Sequence, residues 1–136
     1  MMLVIRSEHL NEILKMARRS SVEICGILLG RKGNSDAFVE EIKFIKNRLN
    51  SEHAFEMEPI EMVQAMDEAE DKGLELIGIF HSHPCKPIPS ERDRKGMKNW
   101  PVVWLIVGNN GDYKAFVFDN GRILKVEVEV LFNHYE

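Results

Sequence analysis

The sequence predicts an α/β fold, a single domain in which a mixed β-sheet is flanked by helices. Three observations carry that prediction. The 136 residues, 44% of them hydrophobic, match one ordinary domain able to bury a substantial single core. Helical and strand periodicities alternate along the chain in the order helix, two strands, helix, strand, short helix, three strands. No repeat, low-complexity tract or linker interrupts 1–136, so the whole chain is assigned to that domain.

Each element has its own local signal. After Ser7, a suitable N-cap, Leu10, Ile13, Leu14 and Ala17 recur at helical spacing. Glu8 and Glu12 lie early in this helix and Lys15, Arg18 and Arg19 late, as the helix dipole favours. "VEICGILLG" (22–30) reads as a strand buried on both faces, and "RKGNSD" as a turn into a second strand around 37–46. Asn47 to Ala54 reads as a loop. Pro59 suits the first position of the second helix, Val63, Met66 and Ala69 form its apolar stripe, and Gly73 can close it in the left-handed conformation. The next strand spans 74–82. Ser90 then opens a short helix that cannot extend past Pro101. "VVWLIVG", "YKAFVF" and "RILKVEVEV" complete the sheet, separated by the hairpin signals "NNGD" and "DNG".

Composition excludes several function classes. A net charge of −4 and an isoelectric point near 5.8 disfavour phosphate backbones and anionic lipid surfaces. The longest apolar runs, "ICGILLG" and "PVVWLIVG", fall far short of the ~20 residues that span a bilayer. The start, "MMLVIRSEHL", has no basic stretch followed by an apolar one, so no secretion signal is read and a cytoplasmic location is expected. Cys25 and Cys85 are too few for a secreted disulfide scaffold and lack the paired spacing of a zinc ribbon.

The chemistry concentrates in "HSHPCKPIPSERD", residues 81–93, directly after the apolar run "LELIGIF". Side chains alternate along a strand, so His81 and His83 project to one face and can share an ion while Ser82 points to the other. Asp93, near the start of the returning helix, is placed to be a third ligand, and such a set leaves an open position for water on a catalytic zinc. Pro84, Pro87 and Pro89 restrict the intervening loop. A zinc-bound water has its pKa lowered towards ~7 and then needs a proton acceptor. Glu23, one carboxylate in an otherwise apolar segment, is the candidate general base, because a buried unpaired charge is costly. Ser90 can donate to the oxyanion of a tetrahedral intermediate. Plainer readings coexist with these. His-x-His can be two polar strand-end residues, Ser90 and Asp93 fit an S-x-x-[DE] helix cap, and Glu23 can pair with a buried arginine.

At these positions the chain resembles the JAMM (MPN-plus) metalloprotease family. The family pattern is a glutamate on an early strand, His-[Ser/Thr]-His-Pro, a serine seven residues after the second histidine and an aspartate three further on. Glu23, His81, Ser82, His83, Pro84, Ser90 and Asp93 supply every element. The resemblance implies a cytidine-deaminase-like fold and one zinc ion held by His81, His83, Asp93 and water, with Glu23 as acid/base and Ser90 stabilising the oxyanion. It implies hydrolysis of the isopeptide bond between the C-terminus of ubiquitin or a ubiquitin-like modifier and a lysine ε-amine. The compact chain is most similar to stand-alone prokaryotic members, whose substrates are small ubiquitin-like or sulfur-carrier proteins. Two alternatives therefore accompany the isopeptidase: a zinc peptidase that trims the C-terminus of a sulfur carrier, and a binding module that recognises a ubiquitin-like protein without cutting it. The intact Glu23 disfavours the second.

Several further residues carry weaker signals. Cys25 and Cys85 lie two beyond Glu23 and His83 respectively, so they are expected close to the site, either as two free buried thiols or as a disulfide. Ligation of zinc by Cys85 would close the open position. His53 and His134 lack partners at ligand spacing, and His9 reads as an exposed helix residue. Lys86, Arg92, Arg94, Lys95 and Lys98 form a solvated helix face or steer an acidic partner. Residues 47–58 offer a surface for an extended substrate tail, while Met57, Met62 and Met66 are expected in core packing. A homodimer stays open, with no coiled-coil signature to demand it.

Overall fold

The computed structural model describes residues 1–84 and 86–132. It contains β1 (Met2–Arg6), α1 (Ser7–Arg19), β2 (Cys25–Lys32), β3 (Asp36–Ile45), α2 (Pro59–Asp71), β4 (Glu75–His83), α3 (Glu91–Asn99), β5 (Val103–Gly108), β6 (Tyr113–Asp119) and β7 (Arg122–Leu131). The predicted succession of elements is present, with one addition. β1 had no local signal, because "MLVIR" runs straight into α1 without a turn. Its identity as a strand comes from pairing in parallel with β3 and β7. The same junction removes Ser7 as a cap: Arg6 holds the N-cap position and no side chain caps the helix.

The strand order β1-β3-β2-β4-β5-β6-β7 closes on itself through the β1–β7 pair, so the mixed sheet has no free edge. β4 and β5 are parallel, and β2 pairs antiparallel with both β3 and β4. Alternation along β2 sends Leu28 into one core and Ile27 and Leu29 into another. The strand is therefore buried on both faces, as its unbroken apolar run predicts. On the first face α1 inserts Leu10, Ile13 and Ala17 against Leu28, Phe80 and Leu105. On the opposite face α2 covers Ile27 and Leu29, and Met97 of α3 packs with Ile79, Trp104 and Ile106.

The predicted stripe of α2 is rotated. Met62, Ala65 and Ala69 face the sheet, whereas Val63 is 58% and Met66 37% exposed. The alanines let the helix approach Ile27 and Leu29 closely, and the residue after each buried position turns ~100° away. Met57 is half-buried against the same cluster, so two of the three methionines pack as expected and Met66 does not. Pro59 does begin the helix, with Glu58 capping through Glu61 N–H, and Gly73 follows it at φ +72°.

One close approach fixes the sheet beneath the site. A Cβ on Gly26 would stand 2.3 Å from the Lys43 carbonyl and 2.3 Å from Phe80 Cζ. The Phe80 ring is fully buried and meets Phe44 edge-to-face at 5.2 Å, so it has no space to withdraw. Gly26→Ala is expected to destabilise the fold by at least ~1–3 kcal/mol, read as a lower urea midpoint.

Candidate active site

The site forms where β4 ends beside β2 and α3. The β2–β4 register pairs Cys25 with His81. His81 and His83 share the face of Ile79, the face covered by α3, while Ser82 points the other way. Ser82 Oγ accepts from Ile24 N–H at 2.9 Å and Ser82 N–H donates to the Ile24 carbonyl at 3.0 Å. This double contact anchors the neighbour of Glu23. Glu23 itself lies two residues before β2, a correction to the reading that placed it inside a strand. Sheet pairing begins only at Cys25, yet the Glu23 side chain is 3% exposed and places Oε1 3.5 Å from His81 Nδ1.

Asp93 arrives from the first turn of α3. Ser90 Oγ accepts from Asp93 N–H at 3.1 Å, and Asp93 Oδ2 accepts from Ser90 N–H at 2.9 Å, a complete capping box. The same carboxylate puts Oδ2 2.8 Å from His83 Nε2 and Oδ1 3.0 Å from His81 Nε2. The structural reading of the S-x-x-D pattern is thus correct, and it coexists with a carboxylate aimed at both imidazoles. Glu23, His81, His83, Ser90 and Asp93 all come together.

The electrostatics are those of a buried charge cluster. Burial pushes the Asp93 carboxyl up, but hydrogen bonds and charge from His81 and His83, with help from Ser90 N–H, hold it well below the usual carboxylate range. For His81 burial alone lowers the pKa, and Asp93 and then Glu23 outweigh it, raising it to about 9. A raised imidazole pKa contributes stability that is fully present below the unfolded value near ~6.5 and is lost as pH rises through about 9. Metal-free protein should accordingly keep His81 protonated at neutral pH, with a proton NMR titration midpoint near 9. A midpoint below 7 would contradict this geometry.

The donor set suits a metal ion. Ligand atoms around a tetrahedral zinc with bonds of about 2.0 Å stand roughly 3.3 Å apart. The two Nε2 atoms lie 3.0 and 2.8 Å from Asp93 oxygens. His81 Nε2 is buried, and among the described residues it has no polar partner besides the Asp93 oxygen 3.0 Å away. Glu23, His81 and His83 also offer donor atoms within 4.8 Å of one another. Glu23 meets the Nδ1 edge of His81, whereas Asp93 occupies the point on which both Nε2 atoms converge.

Other residues sort themselves around this centre. His53 is exposed and lies beside Glu52, and His9 is half-buried on α1 rather than exposed. Burial, then Glu23 and Glu61, push the Cys25 thiol up to about 12, and its Sγ–H donates to the Ile45 carbonyl at 3.3 Å. Cys85 and His134, and with Cys85 the disulfide, lie outside the described residues. The basic residues divide: Arg92 and Lys95 line a groove, Arg94 donates to the Gly121 carbonyl, and Lys98 sits over the Phe118 ring.

Three residues of the site escape the sequence reading. Phe55 stacks on His81 with centroids 4.5 Å apart, and Trp104 meets the same imidazole edge-on at 5.8 Å. Asn47, 8% exposed, ties together the segment that carries Phe55. The available signal for Phe55 was its isolation as the one large apolar residue in "NSEHAFE". Asn47 carried none beyond the start of a loop.

The centre opens on two sides. A groove of about 910 Å³ between α2 and α3 is lined by Phe55, Met57, Val63, Met66 and Trp100 and reaches Asp93. A smaller pocket of about 220 Å³ is lined by Ser20, Glu23, Glu52, His83 and Asn109.

Comparison with known proteins agrees with the fold and the motif. The family described as prokaryotic homologues of the JAB domain matches residues 6–119. A desampylase from Pyrococcus furiosus is 48% identical over 130 residues, covering 94% of this chain and 90% of that protein. A desampylase from Haloferax volcanii is 33% identical, covering 88% and 91% respectively. A solution structure of a Desulfitobacterium hafniense protein superposes with a TM-score of 0.86 at 26% identity, covering 98% of this chain and 99% of that one. The matched span holds every residue of the motif, and the chain therefore belongs to the prokaryotic JAB family, of the JAMM type, and is an isopeptidase-class hydrolase.

Proposed function

We propose that this hydrolase uses one zinc ion, held by His81, His83 and Asp93, to cut the isopeptide bond between the C-terminus of a ubiquitin-like modifier and a lysine ε-amine. The observation that carries this reading is the convergence of both imidazole Nε2 atoms on the Asp93 carboxylate, with buried Glu23 on the other edge of His81. Zinc, when bound there, supplies the Lewis acidity that makes water nucleophilic at neutral pH. Glu23 takes the proton of the attacking water and passes it to the leaving amine. Because Glu23 lines the smaller pocket, the amine departs on that side and the modifier's extended tail occupies the groove between α2 and α3. Ser90 Oγ accepts from Asp93 N–H and so keeps its own proton for the oxyanion. Phe55 excludes water from the His81 ring face.

Both desampylase relatives span nearly all of this chain, which supports a ubiquitin-like conjugate as the substrate class. Among the described residues no helix is long and apolar enough to cross a membrane. With the acidic charge, that supports action in the cytoplasm on protein conjugates rather than on nucleic acid or lipid. The test presents zinc-loaded protein with a ubiquitin-like modifier joined to a lysine ε-amine and with the same modifier carrying a linear C-terminal extension. Release from the lysine conjugate is expected. Cleavage of the extension alone would replace the isopeptidase by a carrier-trimming peptidase, and cleavage of neither with zinc bound would favour a binding module.

A further inference from the structure

The Glu23 main chain is held by a side chain that no motif contains. Glu23 N–H donates to the Ser51 carbonyl at 2.8 Å, and the Glu23 carbonyl accepts from Asn47 Nδ2 at 3.0 Å. Sheet pairing begins only at Cys25, so both polar groups of the Glu23 backbone turn to the segment between β3 and α2. Asn47 organises that segment with one buried amide. Its Nδ2 also donates to the Ala54 carbonyl at 3.0 Å, while its Oδ1 accepts from Leu49 N–H and Glu56 N–H, each at 3.1 Å. Between the anchors at Ala54 and Glu56 stands Phe55, which stacks on His81. A single side chain thus links the backbone of Glu23 to the aromatic wall of the site.

We infer that Asn47 is a positioning residue for the reaction: its amide sets the place of Glu23 relative to His81, and it fixes Phe55 in the same step. This rests on the reading of Glu23 as the base. A displacement of about 1 Å in a catalytic group can cost on the order of 100-fold in rate. A buried amide with both donors and its acceptor engaged is also hard to replace, because any substitution leaves buried partners unsatisfied. Aspartate is the discriminating change. It keeps the shape and the acceptor for Leu49 and Glu56 but removes the donors to Glu23 and Ala54.

The experiment compares wild type, Asn47→Asp, Glu23→Gln and the double variant, all zinc-loaded, on the modifier–lysine conjugate. Asn47→Asp is expected to lower kcat about 10- to 100-fold, with KM within about twofold and zinc affinity unchanged, and to add little loss in the Glu23→Gln background. A kcat within twofold of wild type, or an equal further loss on top of Glu23→Gln, overturns the inference. Retained activity in Glu23→Gln instead overturns the base assignment, and the inference falls with it. A second readout avoids variants and catalysis. In metal-free wild type, the Glu23 amide and the Asn47 side-chain amide protons should persist in nitrogen-15 spectra after transfer to D₂O, and exchange as fast as that of exposed loops would show that the latch does not hold.

Discussion

Glu23→Gln is expected to lower cleavage of a modifier–lysine conjugate by about 10²- to 10⁴-fold, while zinc content and circular dichroism stay at wild-type values. Glutamine has the size and shape of glutamate, so the nearly closed space around the side chain, 3% exposed, needs no repacking. The hydrogen bonds through Ser51 and Asn47 are made by the Glu23 backbone and survive the change. What disappears is the basic oxygen 3.5 Å from His81 Nδ1. An amide cannot accept the proton that the attacking water must lose. Single-turnover rates would separate this from a binding effect, because the loss should fall on the chemical step with KM little altered. Activity within tenfold of wild type would remove Glu23 from the role of base.

Asp93→Asn should do two things at once. Zinc affinity should fall by more than ~100-fold, since even outer partners of metal ligands are typically worth 10- to 100-fold. Competition with a chelating dye measures it, and a change smaller than tenfold would sink the third-ligand assignment. The metal-free protein should also lose stability at pH 7. Asp93 is 5% exposed on its side chain and faces both imidazoles, and removing one partner of a buried ion pair commonly costs about 3–5 kcal/mol. The sign of its pH dependence follows from the depressed carboxyl: its contribution is present above the unfolded value near ~3.9 and is lost as pH falls through lower values. On the alkaline side it fades as His81 releases its proton through about 9. Urea midpoints of the two metal-free proteins should therefore differ most between roughly pH 4 and 6.5, draw together as pH rises from there through about 9, and draw together again as pH falls below roughly 4. The asparagine oxygen can still accept from Ser90 N–H, so α3 should keep its start.

Much of the site could be read in one dimension because its rules are local. Alternation along a strand puts His81 and His83 on one face in any sheet, and S-x-x-D at a helix start brings a carboxylate back over the cap. Pro59 and Gly73 bracket α2 through their own backbone restrictions. The phase of α2 was misread for the opposite reason. The sequence has Val63 and Met66 as well as Met62, Ala65 and Ala69, and which set turns inward depends on the shape of the sheet beneath.

The sequence by itself determined the α/β class and the succession of the later elements, and it singled out Glu23, His81, His83, Ser90 and Asp93 as candidates. The elements and the 81–93 candidates follow from periodicity, turn chemistry or a spacing within a few residues, and Glu23 from its place as one carboxylate in an apolar run and from the family pattern. Only the tertiary structure decided that β1 closes the sheet, that Glu23 precedes its strand, and that Asn47 and Phe55 belong to the site. The physical reason is range. Parallel pairing of β1 with β7 joins segments more than a hundred residues apart, and the contact from Asn47 to Glu23 spans 24 positions, so no local pattern records either.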